Sequence, residues 1–240
     1  MQYQLYYWPS IQGRGEFVRL ALEEAGAEYV DVARRSGSGM GVNAMQKFLD
    51  DGKLAETPYA PPFLKAGKLI IGQTANILLY LGQRHGLAPR NEAGRLWVNQ
   101  LQLTVADFVT EIHDTHHPIG GSLYYQQQKA EARRRSKNFR TVRMPKFLSY
   151  FEQVLSGGKG RRYMAGNTLS YADLAMFQLV AGLRFAFPKA MKKQEPDYPA
   201  LVDLHDRIAA RPNIAAYLAS KRRIAFNEYG IFRYYLELDG

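Results

Sequence analysis

An α/β unit ordered βαβαββα, followed by an all-helical unit, is the fold class the sequence predicts, and three observations carry it. Up to about Gly86 the apolar pattern changes period repeatedly. Beyond it, apolar residues keep helical spacing almost to the end, and a short stretch containing Pro89 separates the two regimes. The boundaries that follow are 1–86 for the first domain, 87–91 for a linker and 92–240 for the helical domain.

Each element has a local reason. Gln2 to Trp8 is short, aromatic-rich and closed by Pro9, as a strand is. From Gly15 to Ala25, Phe17, Leu20 and Ala21 form a helical stripe with Glu23 and Glu24 on the other side, and Gly26 ends it. Glu28 to Val32 alternates as a second strand, and the glycine-rich piece 36–41 leads into a helical patch around Met45 to Leu49. Phe63-Leu64 and Leu69-Ile70-Ile71 flank Lys65-Ala66-Gly67, a hairpin signal, after which Gln73-Thr74 opens a helix through Ile77, Leu78 and Leu81. The second unit reads as long helices at roughly 92–117 and 129–155, with shorter ones near 171–186, 199–210 and 212–222. Ser170-Tyr171-Ala172-Asp173 places a hydroxyl at a helix cap and a carboxylate three residues on, the reciprocal arrangement that satisfies orphan N–H groups.

Composition narrows the function. At 240 residues, 46% apolar and 22% charged, the chain can bury a sizeable core, and no run of about 18 apolar residues could span a bilayer. The start, Met1 to Tyr6, has neither the basic nor the apolar segment of a signal peptide, so a soluble, cytoplasmic protein is expected. The absence of cysteine removes disulfides, thiolate nucleophiles of the chain's own and Cys-x-x-Cys redox chemistry, so any sulfur chemistry uses a ligand's sulfur. A net charge of +10 favours anionic partners at long range. Between Lys129 and Lys146, Arg133, Arg134, Arg135, Lys137, Arg140 and Arg143 face only Glu131; with no base-stacking or groove-reading motif beside them, they read as a solvated helix face, not a nucleic-acid or membrane surface. His113 and His117 are spaced i and i+4, but no cysteine or clear carboxylate partner follows and Pro118 ends the helix, so no metal is expected.

Four groups of residues, in this order and separation, resemble the glutathione transferase family over nearly the whole chain. Tyr7-Trp8-Pro9, then Gly13-Arg14 and a helix containing Arg19, is similar to the N-terminal signature of the tyrosine-type classes (alpha, mu, pi, sigma), with one residue inserted before Gly13. Pro62-Phe63-Leu64, Gly67 and Gln73-Thr74 resemble the family's cis-proline strand, hairpin and Gln-Ser helix start, with threonine where serine is usual and Pro61 immediately before the proline. Gly166 to Asp173 resembles the capping motif of the helical domain, and Arg211-Pro212-Asn213-Ile214 is a typical helix junction. The resemblance implies a thioredoxin-like N-terminal domain, a helical C-terminal domain, a homodimer, glutathione as cosubstrate and a detoxifying transfer of its sulfur to a small apolar electrophile. The missing cysteine argues against the cysteine-type classes, and the usual tryptophan of the second-helix region is absent. A non-catalytic binding or assembly module, or a glutathione-dependent isomerase, lyase or peroxidase, is the alternative.

Physical chemistry assigns roles to these positions. A thiol with a pKa of about 8.5 is mostly protonated at neutral pH, and a phenol donating to its sulfur stabilises the nucleophilic anion. Tyr7 is the expected donor, with Tyr6 on the opposite strand face and Ser10 as the alternative activator. Gln73 and Thr74, at a helix start, would take the γ-glutamyl carboxylate, or else simply cap the helix. Pro61 would offer its carbonyl to the cysteinyl N–H while Pro62 shapes the turn; Arg14 would support the electrostatics. Lys53, with Lys47 as a second choice, would hold the glycyl carboxylate; Asp107, on the first long helix, matches the position from which, as the resemblance implies, the family's partner subunit reaches the γ-glutamyl amine, and is otherwise a helix-surface charge. Trp8, Ile11, Phe108, Ile112, His116 and Tyr124, with the aromatic tail Phe226, Tyr229, Phe232 and Tyr234, would line the electrophile pocket.

Overall fold

The first strand, β1 (Tyr3–Tyr6), runs parallel to β2 (Tyr29–Asp31), which requires a crossover connection, and α1 (Gly15–Glu24) supplies it. In the computed structural model, which describes residues 2–240 except 53, 55 and 159, α2 (Gly41–Leu49), β3 (Phe63–Ala66), β4 (Leu69–Gly72) and α3 (Thr74–His85) complete the βαβαββα order. The sheet order is β2-β1-β3-β4, with β3 antiparallel to both of its neighbours. Strand alternation sorts the side chains. Leu5 and Leu64 join Phe17, Ile77 and Leu81 under α1 and α3, whereas Tyr6 stacks on Phe63 at 4.5 Å and packs with Met45 beneath α2.

Apolar spacing makes α1 amphipathic, yet one member of its inner face is charged. Arg19 is wholly buried, with its Nε 2.7 Å from Asp31 and its Nη1 3.1 Å from Glu16. Glu16 also accepts the Tyr217 hydroxyl at 2.7 Å and an Arg223 guanidinium, which ties the chain's last fifth to the first helix.

The helical part departs from expectation in several places. α4 (Glu92–Asp114) stops three residues early, where the Thr115 hydroxyl turns back to the Ile112 carbonyl at 2.7 Å. The expected helix at 129–155 is broken into α5 (Lys129–Asn138), a π-turn at Phe139–Arg143 and α6 (Met144–Ser156). Pro145 explains the break, because it has no N–H to return to the preceding turn. α7 (Tyr171–Ala186) lies where expected, but α8 (Pro188–Gln194) follows it with no loop between, and α9 (Pro199–Ala209) and α10 (Pro212–Leu218) precede a last turn, α11 (Leu236–Asp239). The stretch 87–91 is not a free linker: Leu87 and Ala88 are buried, and the Leu87 carbonyl accepts the Tyr171 N–H at 2.9 Å. Among the described residues no helix is long and apolar enough to cross a membrane.

The basic run divides as well. Arg135 and Arg143 both pair with Glu111 of α4, and Lys129 pairs with Glu237, so three of its charges serve packing.

At the start of α7, Asp173 is wholly buried and accepts three hydrogen bonds, from Met164 N at 2.8 Å, Ser170 N at 2.8 Å and Ser170 Oγ at 2.6 Å. Replacing it by alanine strands those donors. Asp173→Ala is expected to lower the unfolding free energy by about 3 kcal/mol, read from urea unfolding followed by circular dichroism.

Candidate active site

Tyr7 directly follows β1 on the α1 side of the sheet, and only 5% of its surface is exposed. Its hydroxyl oxygen accepts the backbone N–H of Arg14 at 2.8 Å. Two glycines make room for it: a Cβ on Gly13, whose φ is +47°, would lie 2.0 Å from the hydroxyl oxygen, and one on Gly15 would lie 2.5 Å from the ring. The Arg19 guanidinium stands behind the ring, 5.8 Å from its centroid. Burial pushes the phenol above its ordinary value, against the Arg14 N–H and the Arg14 and Arg19 charges that pull it down. The phenol therefore stays protonated at neutral pH. With Arg14 N–H on its oxygen, its own proton is polarised and available to an acceptor.

Arg14 contributes differently from expectation, through its main chain. Its guanidinium adds to the burial that pushes the His113 imidazole down, and it offsets a part of the burial that pushes the Asp114 carboxyl up.

The start of α3 carries the second set of groups. Gln73 has φ +66° and ψ +123°, the one positive-φ residue other than glycine among the described residues, and its side chain makes no capping hydrogen bond. The Thr74 hydroxyl is buried without a hydrogen-bond partner. Capping is thus not what these two side chains do. The first-turn N–H groups of any helix lack intrahelical acceptors, and a carboxylate is the natural group to meet them. Strained backbone of this kind concentrates at sites of function. Thr74 lines a cavity of about 30 Å³ with Arg14, Phe17, Gln102, Val105 and Val109, and the Gln102 carbonyl oxygen is likewise unpaired. The Pro61–Pro62 bond is cis and leads directly into β3. A surface groove of about 730 Å³, lined by Pro188, Met191 and Pro199 among others, contains none of these residues.

The remaining expected residues divide sharply. Asp107 is exposed on α4, one turn from exposed Leu103. Lys47 is exposed on α2 and lines a groove with Asn43, Asp51 and Lys65 on the other side of the sheet from α3; Lys53 lies outside the described residues. Trp8, Ser10, Tyr124 and Tyr229 are exposed, while Ile11, Phe226 and Tyr234 are half-buried. Four assignments to an open pocket need correction. Phe108 is stacked on Phe147 at 4.4 Å inside the helical core; Ile112 is buried beside it; Phe232 is edge-on to Phe226; and His116 is closed in by the Ile231 carbonyl at 2.8 Å. The tail does cover a surface, namely the loop that serves Tyr7. Asn227 donates to the Ser10 carbonyl at 2.8 Å, and Gln12 donates to the Ile224 carbonyl at 2.5 Å.

Sequence reading missed Gln12, Glu16 and Gln102. A lone glutamine in a loop carries no signal, but Glu16 and Arg19, three apart on a helix whose other inner residues are apolar, could have been found as a buried pair.

A four-stranded mixed sheet flanked by α1, α2 and α3, followed by a helical bundle, with a strand-end tyrosine and an uncapped helix start, defines the thioredoxin-like class with an appended helical domain. The family model for the glutathione S-transferase C-terminal domain matches residues 113–221. A glutathione S-transferase of Plasmodium falciparum is 25% identical over 92% of this chain and 97% of its own length, and glutathione S-transferase P 1 of Xenopus laevis is 26% identical over 92% and 93%. The solved structure of a pi-class glutathione S-transferase of Onchocerca volvulus superimposes with a TM-score of 0.69 at 23% identity, covering 91% of this chain and 92% of that one. The matched model and the curated relatives point to the glutathione transferase family, and the solved structure shares the fold.

An unpaired hydroxyl in a small cavity costs the free protein. Thr74→Val keeps the shape and removes the orphan, so the unliganded protein is expected to be as stable as wild type or more stable by up to about 1 kcal/mol in urea unfolding. A loss above that would mean that the hydroxyl is paired.

Proposed function

We propose that this protein is a glutathione transferase in which Tyr7 activates the thiol of glutathione for attack on an apolar electrophile. The observation that carries the reading is the Tyr7 hydroxyl oxygen, held at 2.8 Å by the Arg14 N–H with its own proton left to give. That proton supplies a hydrogen bond to sulfur, which favours thiolate over thiol. The γ-glutamyl carboxylate is the acceptor that the α3 start lacks, meeting its free N–H groups and the unpaired Thr74 hydroxyl, with Gln73 beside it. The Pro61 carbonyl takes the cysteinyl N–H, and Pro62 sets the turn.

The thiolate then attacks the electrophilic carbon. The S–C bond forms from a sulfur lone pair, and the leaving group departs with the pair from the broken bond, or, in an addition, the pair moves onto the acceptor. Tyr7 keeps its proton throughout and acts by charge stabilisation. Trp8, Ile11, Tyr124, Phe226, Tyr229 and Tyr234 are the aromatic and apolar side chains with surface to offer the electrophile. In this reading residues 1–86 bind glutathione, 92–240 carry the electrophile pocket, and the protein is a cytoplasmic, detoxifying homodimer in which Asp107 approaches the γ-glutamyl amine bound by the partner. Light scattering at micromolar concentration is expected to give twice the chain mass of 27.3 kDa; a monomer would remove that role from Asp107.

Two variants test the chemistry. Gln73→Ala is expected to weaken glutathione binding by about 1–3 kcal/mol in calorimetry, the cost of leaving a charged group's hydrogen bonds unmade. Tyr7→Phe keeps the ring among Gly13 and Gly15 and removes only the donor. It is expected to cost about 1.5–3 kcal/mol of thiolate stabilisation, a rise of roughly one to two units in the bound thiol's pKa. Ultraviolet titration of the thiolate and conjugation of a chlorinated nitroaromatic read both. If Tyr7→Phe is silent and Ser10→Ala abolishes activity, the serine-type reading replaces this one.

A further inference from the structure

Three imidazoles converge just beyond the end of α4. The last turn of α4 tightens after Asp114: the Thr115 N–H bonds the Ile112 carbonyl, and the His116 and His117 N–H groups both bond the His113 carbonyl at 3.2 Å, which gathers the three histidines on one turn. Ring centroids are 5.0 Å apart for His113 and His116, 5.3 Å for His113 and His117, and 4.8 Å for His116 and His117. One ring nitrogen from each lies within 4.8 Å of the other two. The sulfur chemistry proposed above uses none of them.

His116 fixes the chemistry of the cluster. Its Nε2 is 2.8 Å from the Ile231 carbonyl oxygen, which can only accept, so Nε2 carries the proton. In a neutral ring Nδ1 then holds a lone pair, and that atom faces His117 Nδ1 at 2.5 Å. A histidine whose outer N–H is anchored on a backbone carbonyl, with its other nitrogen turned toward further imidazoles, has the outer-shell arrangement that orients a metal ligand. Arg14 and Arg233 lie close enough to the three rings to act on them electrostatically.

We propose that His113, His116 and His117 form a three-imidazole site for a borderline divalent transition metal, with Zn²⁺ as its representative. Three neutral nitrogens select zinc, copper or nickel over magnesium or calcium. Zinc takes nitrogen ligands at about 2.0–2.1 Å, and three histidines leave a fourth position for water or another ligand. Tetrahedral ligand nitrogens at that distance are about 3.3 Å apart. His117 must therefore move away from His116 and His113 toward it, each by about 1–1.5 Å; His113 and His117 are the two partly exposed members, while His116 is held. Arg14 and Arg233 oppose a bare dication, so the fourth ligand is expected to be anionic. Asp114, with a carboxylate oxygen 3.8 Å from His113 Nδ1, is one source of it, and a solute carboxylate or hydroxide is another.

The test is calorimetric titration of the tag-free protein with ZnCl₂, followed by electron paramagnetic resonance of the Cu²⁺-loaded protein. Wild type is expected to bind one equivalent at micromolar affinity or tighter, with nitrogen superhyperfine structure from imidazoles in the copper spectrum. The chain has only two other histidines, so His85→Gln/His205→Gln should bind as wild type does. His113→Gln/His117→Gln should lose at least thirtyfold in affinity while its thermal melting stays cooperative. If that double variant fails to fold, His113→Gln alone should lose tenfold and simplify the nitrogen pattern. A flat wild-type titration, or equal binding by the His113 variants, overturns the site.

Discussion

A guanidinium with no exposed surface must be neutralised where it stands, and Arg19 is that group. Removing such an ion from water costs several kcal/mol, so its partners are dictated before anything else in the neighbourhood is. Glu16 comes from one turn earlier in α1, and Asp31 comes from the end of β2, so the pairing sets how the crossover helix rolls against the parallel strands. The same guanidinium approaches the carbonyls of Ile11 and Gln12 at 3.5 and 3.4 Å, fixing the loop that presents the Arg14 N–H to Tyr7. Glu16 then passes the constraint on, taking Tyr217 from α10 and Arg223 from the tail. Well-packed apolar residues could replace such a set at little cost in stability; what the charges add is one specified arrangement of the sheet, the active-site loop and the tail.

That arrangement is what allows the site to keep polar groups unsatisfied. An exposed phenol or an ordinarily capped helix would spend its hydrogen-bonding capacity on water or on itself. Here the Tyr7 oxygen is met by one fixed N–H, the Thr74 hydroxyl has no partner, and Gln73 is held in a backbone conformation that side chains rarely adopt. The last two are local costs of about 1 kcal/mol or more each, carried by surroundings that leave no alternative geometry. A ligand that meets these groups recovers part of that cost, which is how a rigid scaffold concentrates affinity in a few atoms.

Much of this was legible because it is local. Pro62 through Gly67 to Gln73 spells a strand, a hairpin and a helix start within twelve residues, and Ser170 with Asp173 spells a cap within four. What was illegible depends on distance or on direction. Nothing near Arg19 announces Tyr217, almost two hundred residues on. Phe108 and Ile112 keep helical spacing, but periodicity reports that a side chain is buried, not whether it faces a cleft or the bundle's own interior. His116 and His117 follow α4 in a tightened last turn whose ring contacts no spacing encodes, and α8 begins directly after Phe187 with no loop composition to mark it. The aromatic tail did advertise a need for cover. That its cover is the Ser10 to Arg14 loop follows from hydrogen bonds that no composition encodes.

The loop itself shows why so many anchors converge there. It has to hold the Arg14 N–H on the Tyr7 oxygen, seven residues away along the chain, and an unanchored loop has many ways to misplace it. Gln12 removes that freedom. Its side chain is buried, accepting from Gln178 of α7 at 2.7 Å and donating to the Ile224 carbonyl of the tail, while its own carbonyl faces Arg19. Gln178 is held in turn by Arg223, which also pairs with Glu16, so the chain closes on the same charge cluster from which it started. A hydrogen bond weakens steeply once its angle or length drifts, and positioning errors of about 1 Å are enough to disable a catalytic group. The buried glutamine is therefore best understood with Arg19: Arg19 holds the loop by its carbonyls, and the Gln12 side chain adds two points of attachment, to α7 and to the tail, so that the Arg14 N–H stays on the Tyr7 oxygen.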